Sequence, residues 1–538
     1  MKNIKLIILL IAIPTIGLAQ TWQWAKRVGG LNYDTGGIQI TGNGEAYFAG
    51  NFGGQCYFQS DTLWTWPNTH GMFVLKLDAS GNEIWLKQIG GVATSGSQEF
   101  ISVAEIDEVN NCIYITGYFD GTITMDGHSI TSINSDYFLA KIDMNGTCQW
   151  LIKAGSTLMD NRNMDLIIDN GGDIYWTGVL STSGTLDTFN LQRGAFLAKV
   201  DPAGNVLWAR DEFVDIDPFL EIRSNHLYFG GTTRNDTCIV DTITITNAND
   251  VDGIVGEISF NGDVQWVKLF DSPSNAYCKS IGIDSQGDLY LSGTFRDTLT
   301  VGSQQLIAQG FQEGFLIKLD ANGNLLWLRQ SNSGTTTGWT SFNGIATNDD
   351  GTSYLIGYFS GSTQIGPFNL STGNSENVFV TRIDKNGNWL GIDNFGPGRG
   401  FGVKEDNNGD FYISGIFQNT MNIGNTALSS AGGWDIFIAK SSAITDIGEN
   451  GRSLQSQLSI YANPNKGSFR IKIPEDIVSY EDATLLVFDQ QGREITSFTL
   501  TVEEEETPVF DVDKAGPGIY MVQLVQGAKS YWGKLVVE

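Results

Sequence analysis

The chain has 538 residues and carries 60 acidic against 32 basic side chains, a formal net charge of -28. So acidic a surface repels phosphate backbones, which excludes nucleic acid as a partner and leaves basic partners and divalent cations open. Gly (65), Trp (14) and Tyr (17) are plentiful and charged residues make up only 17%, a composition that favours strands and tight turns over helices, in a chain too long for one ordinary domain.

The first element is "MKNIKLIILLIAIPTIGLAQ". Lys2 and Lys5 form a basic start, Leu6 to Ile16 an apolar core, and "GLA" a small-residue cleavage site between Ala19 and Gln20. Residues 1–19 therefore read as a secretory signal peptide. Pro14 interrupts the apolar run, which falls short of a membrane span. No later segment is apolar enough to cross a bilayer, so the mature protein is expected to be exported without a transmembrane segment. The five cysteines, Cys56, Cys112, Cys148, Cys238 and Cys278, have neither disulfide-framework nor zinc spacing. Cys56 and Cys238 fall where another copy of a repeat has Ile123, and read as small buried hydrophobes.

From residue 20 to 440 three motifs recur in fixed order. A Tyr is followed three residues later by Gly at Tyr47, Tyr114, Tyr175, Tyr228, Tyr290, Tyr354 and Tyr412. An alternating strand follows: "FVLKLD", "FLAKID", "FLAKVD", "IVGEIS", "FLIKLD", "FVTRID" and "FIAKSS". Then a Gly leads a strand with Trp four residues on, as in Gly81/Trp85, Gly204/Trp208 and Gly323/Trp327. Each repeat of about 60 residues holds four strands, with room for an extra hairpin such as "TLTVGSQQLIA". The last repeat lacks its fourth strand, while a spare one stands at the N-terminus as "TWQWAK". That offset predicts a seven-bladed β-propeller whose N-terminal strand completes the last blade and leaves no sheet edge at the join. These repeats resemble the bacterial seven-bladed β-propeller repeat family, over roughly Thr21 to Lys440. The resemblance implies the fold and is nearly silent on activity.

Residues 441–456, "SSAITDIGENGRSLQS", read as a polar linker. From 457 to 538, short strands at regular spacing predict a small β-sandwich. The phrases "IYANPNKGSF", "GIYMVQL" and "KLVVE" resemble the C-terminal sorting domain of the type IX secretion system of Bacteroidetes. They carry Tyr461, Asn463, Pro464, Gly467, Gly518, Tyr520 and Lys534; Ala462 stands where that family has its first Pro. The resemblance implies the type IX machinery as partner, with export across both membranes to the cell surface or medium.

Chemistry is harder to find. The three histidines, His70, His128 and His226, lie in different repeats, and no metalloprotease, nucleophile-elbow or phosphate-loop motif is present. Turns such as Asp284 to Asp288 lack the ligand density of a calcium loop, so no cofactor or metal is expected. Lys76, Lys141, Lys199, Lys318, Arg382 and Lys440 share one repeat position, and a base needed in nearly every copy is expected to pair with a neighbouring Asp. A unique site belongs where copies diverge. The fourth repeat has Glu257 at that position and His226 in place of the usual turn; the first has Trp64 and Trp66 in an insert, where they stack on a sugar or pack the hairpin. Those four are the candidate ligand-binding residues, with no catalytic residue assigned. The expected function is a non-catalytic exported scaffold for a protein or glycan. The alternatives are a glycan hydrolase or lyase, which converging carboxylates would favour, and a structural surface component.

Overall fold

The computed structural model describes residues 22–442 apart from 31–34, 60, 66–68, 91–98, 161–163, 215, 224, 234–236, 247–250 and 335–336, together with 458–461, 466–473, 482–488, 494–501, 509–512, 516, 518–526 and 529–537. The signal segment with Ala19 and Gln20, Trp66, residues 443–456 of the expected linker, Asn463 and Pro464 lie outside these. Every regular element among the described residues is a β-strand. None of them contains a helix long and apolar enough to cross a membrane. The chain divides into two compact units, residues 1–444 and 445–538.

In the first unit each repeat is an antiparallel run of four strands. In the fifth repeat Ala276–Ile283 pairs with Leu289–Phe295, which pairs with Glu313–Leu319, which pairs with Leu325–Asn332. Every residue of Glu313–Leu319 is buried, because the strand is covered on both faces. Its alternate side chains belong to different cores. Phe315, Ile317 and Leu319 join Tyr228 and Val255 of the preceding repeat, and Leu316 joins Phe342 and Phe379 of the following one. That is why "FLIKLD" alternates without a polar face.

The strands that position the site are β1 (Trp22–Val28), β2 (Thr35–Ile40), β3 (Glu99–Asp107), β4 (Asp165–Ile168), β5 (Ile216–Arg223), β6 (Ala276–Ile283), β7 (Trp339–Thr347), β8 (Trp389–Glu405) and β9 (Asp435–Ser441). Strands β2 to β7 each begin a repeat. The long β8 ends the sixth repeat in its first half and begins the seventh in its second. Neighbours follow the order β2, β3, β4, β5, β6, β7, β8, and β8 lies beside β2. The spare N-terminal strand pairs with the last repeat: Trp24 stands opposite Lys440, Lys26 opposite Ile438 and Val28 opposite Ile436. The same join has a shared core, in which Phe48, Phe73 and Leu75 pack with Tyr412, Ile416 and Ile438.

The Gly and Trp of the third motif meet between repeats. Trp24, Trp85, Trp150 and Trp327 donate their indole N–H to the carbonyls of Ala79, Met144, Pro202 and Lys385, each in a turn of the next sheet, at 3.1–3.2 Å. The Gly of that turn receives the indole. Gly204 has φ +90°, and a Cβ there would lie 3.0 Å from the Trp150 ring, so both backbone and space demand Gly. The hairpin expected at 298–308 forms from Thr298–Val301 and Gln304–Ile307. Elsewhere the extra strand extends the outer strand of the preceding sheet, as where Leu186 pairs with Ala154.

The second unit has a three-stranded set, Ser459–Tyr461, Ser468–Lys472 and Phe510–Asp511, and a four-stranded sheet ordered Glu494–Thr501, Asp482–Phe488, Gly518–Gln526, Lys529–Val537. Phe469, Ile471 and Phe510 from the first share one core with Leu485, Val487, Leu524 and Leu535 from the second.

Candidate ligand-binding site

The shared basic position is a fixture of the sheets. Lys76, Lys199, Lys318 and Lys440 each lie 4.7–5.1 Å over the ring of the motif Tyr opposite them. Each also binds the acid two residues before that Tyr: Glu45 at 3.2 Å, and Asp173, Asp288 and Asp410 at 2.9 Å. The Asp turns serve the same end. Asp284 Oδ1 accepts the backbone N–H groups of Gln286 and Asp288, and its Oδ2 accepts the Tyr290 hydroxyl.

His226 and Glu257 occupy these positions in the fourth repeat with the acidic and basic residue types exchanged. His226 stands two residues before Tyr228, where other copies carry the acid, and Glu257 takes the place of the base. Their side chains meet at 2.6 Å, and Glu257 also accepts the Trp266 indole N–H at 2.8 Å. This bonding accounts for both residues as the reversed form of the repeated pair. Trp64 ends the hairpin Gln55–Phe58/Asp61–Trp64 and is 60% exposed, so it is not packed in the hairpin's core. The structure does not bring Trp64 together with the His226–Glu257 pair. Cys112, Cys148 and Cys278 are buried free thiols and Cys56 is buried; the side chain of Cys238 is outside the described residues.

A cavity of about 430 Å³ opens instead where β6 and β7 start, lined by Tyr277, Lys279, Thr294, Arg296, Phe311, Gln312, Trp339 and Tyr358. Trp339 meets Tyr358 edge to face at 4.9 Å, and the Arg296 guanidinium lies 4.0 Å from the centre of the Phe311 ring. Lys279 Nζ donates to Ser341 Oγ at 2.8 Å and to Asn343 Oδ1 at 2.9 Å. Burial, with the Arg399 charge beside it, lowers Lys279 to about 8. None of these lining residues was singled out by the repeat comparison, which looked for divergence in turns and inserts.

Further along the same strands lies a polar layer. Gln39, Glu105, Glu221 and Lys404 all stand opposite a motif Tyr, and so at one level of β2, β3, β5 and β8. Glu105 accepts from Gln39 at 3.0 Å and lies 3.7 Å from Lys404. Asp165, at the start of β4, accepts the Leu220 N–H at 2.7 Å. Burial raises Asp165 to about 7, despite the Leu220 bond; burial, opposed by Lys404, raises Glu221 to about 7 as well, and the charges of Glu105 and Asp165 add to it. Glu105, Asp165 and Glu221 thus lie within reach of one another's charge.

In the second unit Tyr461 ends its strand, Gly467 (φ +101°) accepts the Val512 N–H at 2.8 Å, and Gly518 opens the strand in which the Tyr520 hydroxyl donates to Gly516 O at 2.7 Å. Lys534 is on the last strand opposite Met521. Residues 459–538 match the family described as secretion system C-terminal sorting domain. The protein is thus an all-β chain that bears a C-terminal sorting domain. No curated protein matches the sequence. Similar solved structures include a mutant of the GH43 protein BlXynB from Bacillus licheniformis, 12% identical over 70% of this chain and 88% of that one, TM-score 0.26. An exo-1,5-alpha-L-arabinanase from a bovine ruminal metagenomic library is 13% identical over 55% and 94%, TM-score 0.25. PorZ, a surface component of the type-IX secretion system of Porphyromonas gingivalis, is 12% identical over 95% and 75%, TM-score 0.18. Likenesses this low carry no argument about activity.

Proposed function

We propose that residues 20–440 form a closed seven-bladed propeller, exported through the type IX route and delivered to the cell surface or medium, which recognises a saccharide in the β6–β7 cavity. The cyclic order of neighbours from β2 round to β8 and the pairing of β1 with β9 support the closed ring. The matched sorting domain supports the route, with 457–538 as a small sandwich separate from the propeller. A reporter fused to residues 457–538 is expected to reach the surface of a host with this secretion system; retention in the periplasm while resident cargo is exported would refute the route.

The cavity itself carries the saccharide reading. Rings of Tyr277, Phe311, Trp339 and Tyr358 supply flat apolar faces for sugar C–H groups, and Lys279, Thr294 and Gln312 supply polar groups at a volume suited to a few sugar units. A glycan array followed by calorimetry on the mature chain tests it. Trp339→Ala is expected to weaken the best glycan at least tenfold with its melting temperature nearly unchanged.

A second reading is hydrolysis or lysis of a glycan that reaches the polar layer beyond the cavity. It is favoured by Asp165 and Glu221, whose values near 7 suit a proton donor and acceptor at neutral pH. Under that reading the bound glycan is cleaved, and Glu221→Gln lowers turnover by 100-fold or more (roughly the general acid–base contribution) while binding persists. An intact glycan after prolonged incubation leaves recognition alone.

A further inference from the structure

We infer that the β6–β7 cavity is selective for an acidic saccharide, taking a uronate carboxylate on Lys279 and Arg296; this rests on the saccharide reading above. The warrant is a local positive charge in an acidic chain. The chain has 60 acids for 32 bases, and its bases are commonly matched: Arg27 with Asp435, Lys153 with Asp136, Arg210 with Asp263, Lys318 with Asp288. Lys279 and Arg296 have no ion-pair partner among the described residues, and no Asp or Glu lines the cavity. Arg399, close enough to depress Lys279, is itself neutralised by Glu376, whose Oε1 lies 3.0 Å from its Nη2.

The donors are also incompletely used. Lys279 Nζ spends two of its three hydrogens on Ser341 and Asn343. The Arg296 guanidinium lies 4.0 Å from the centre of the Phe311 ring, and its buried Nε has no hydrogen-bond partner among the described residues. Contact with the ring holds the guanidinium in place, and a guanidinium is the cation that a carboxylate matches with two parallel bonds. Two unmatched cations in a partly desolvated cavity are unfavourable when empty and are relieved by an anion. Trp339 and Tyr358 beside them supply the ring faces that make the anion's carrier a sugar rather than a free ion.

The test pairs each acidic oligosaccharide with its own neutral form. Galacturonan, glucuronan and mannuronan oligomers and their methyl esters are titrated into the mature full chain, together with sulfated and uncharged oligosaccharides. At least one uronate is expected to bind tenfold or more tightly than its ester. Arg296→Gln and Lys279→Met should each remove most of that preference, weakening the acid far more than the ester, and preserve the unfolding temperature. Equal affinity for acid and ester, or binding of sulfated or uncharged sugars alone, overturns the acidic selectivity while the saccharide reading survives. If no sugar of any class binds, both fall.

Discussion

Deleting residues 21–28 should abolish cooperative unfolding of the first unit and drive the protein into soluble aggregates. β1 closes the last sheet: it gives β9 its outer ladder from Trp24 to Val28 and buries Trp24, Ala25 and Val28. Trp22 stands edge-on to Phe395 at 5.0 Å and to Phe411 at 5.5 Å, so the strand also covers the floor of the sheet beneath it. Arg27 pairs at 2.9 Å with the fully buried Asp435 carboxylate, which the deletion would leave with a single backbone bond, from Ala431. A lost core Trp costs about 3–5 kcal/mol and a buried charge stripped of its partner about 3–5 more, a sum near the whole stability of an ordinary domain. The bare edge of β9 would then be free to pair with another chain. Near-UV circular dichroism during urea unfolding, with light scattering, reads both effects. A synthetic peptide of residues 21–28 added to the truncated chain should restore part of the transition. A truncated chain that melts as the parent does and stays monomeric would show that β1 is dispensable.

That strand was legible in the sequence for a physical reason. A repeat protein whose sheets have four strands cannot start with a fourth and end with a third unless the two meet, and "TWQWAK" against "DIFIAK" is that meeting. The Tyr, Gly and Trp of the repeat were equally legible, since each answers a demand that recurs in every sheet. The cavity was not. Three residues before the one that stands opposite each motif Tyr, where the fifth repeat has Lys279, the other copies hold Gly36, Ser102, Met164, Pro218, Asn343 and Phe401. The divergence is there to be read, but on a strand rather than in a turn or insert, and only the fold shows that these strands lie beside one another. His226 and Glu257 taught the reverse lesson. They stand out as departures because the pair is exchanged as a unit, which preserves its bonding.

The exchanged pair leads to the second large effect, on Lys318. Its ammonium lies 2.9 Å from Asp288, 3.5 Å from Asp284 and 4.7 Å over Tyr290, and is almost wholly buried along with Asp284. Lys318→Met removes the cation that lies within ion-pair distance of both acids and should cost about 3 kcal/mol, the usual price of breaking a buried ion pair from one side. Lys318→Arg should cost much less, because the sixth repeat places Arg382 opposite its own Tyr at the same position. Lys318→Glu should be worse than Met, since it sets three carboxylates against one another. Adding Asp288→His to it recreates the His226–Glu257 arrangement and should recover part of the loss. The recovery is expected to be incomplete, because Asp284 persists where the fourth repeat has Arg223, the residue after the pairs Ile283–Leu289 and Ile222–Leu227. Urea midpoints for the series decide the matter. If Lys318→Met lies within 0.5 kcal/mol (about the spread of ordinary surface substitutions) of the parent, the lysine is a bystander and the repeated cation needs another explanation.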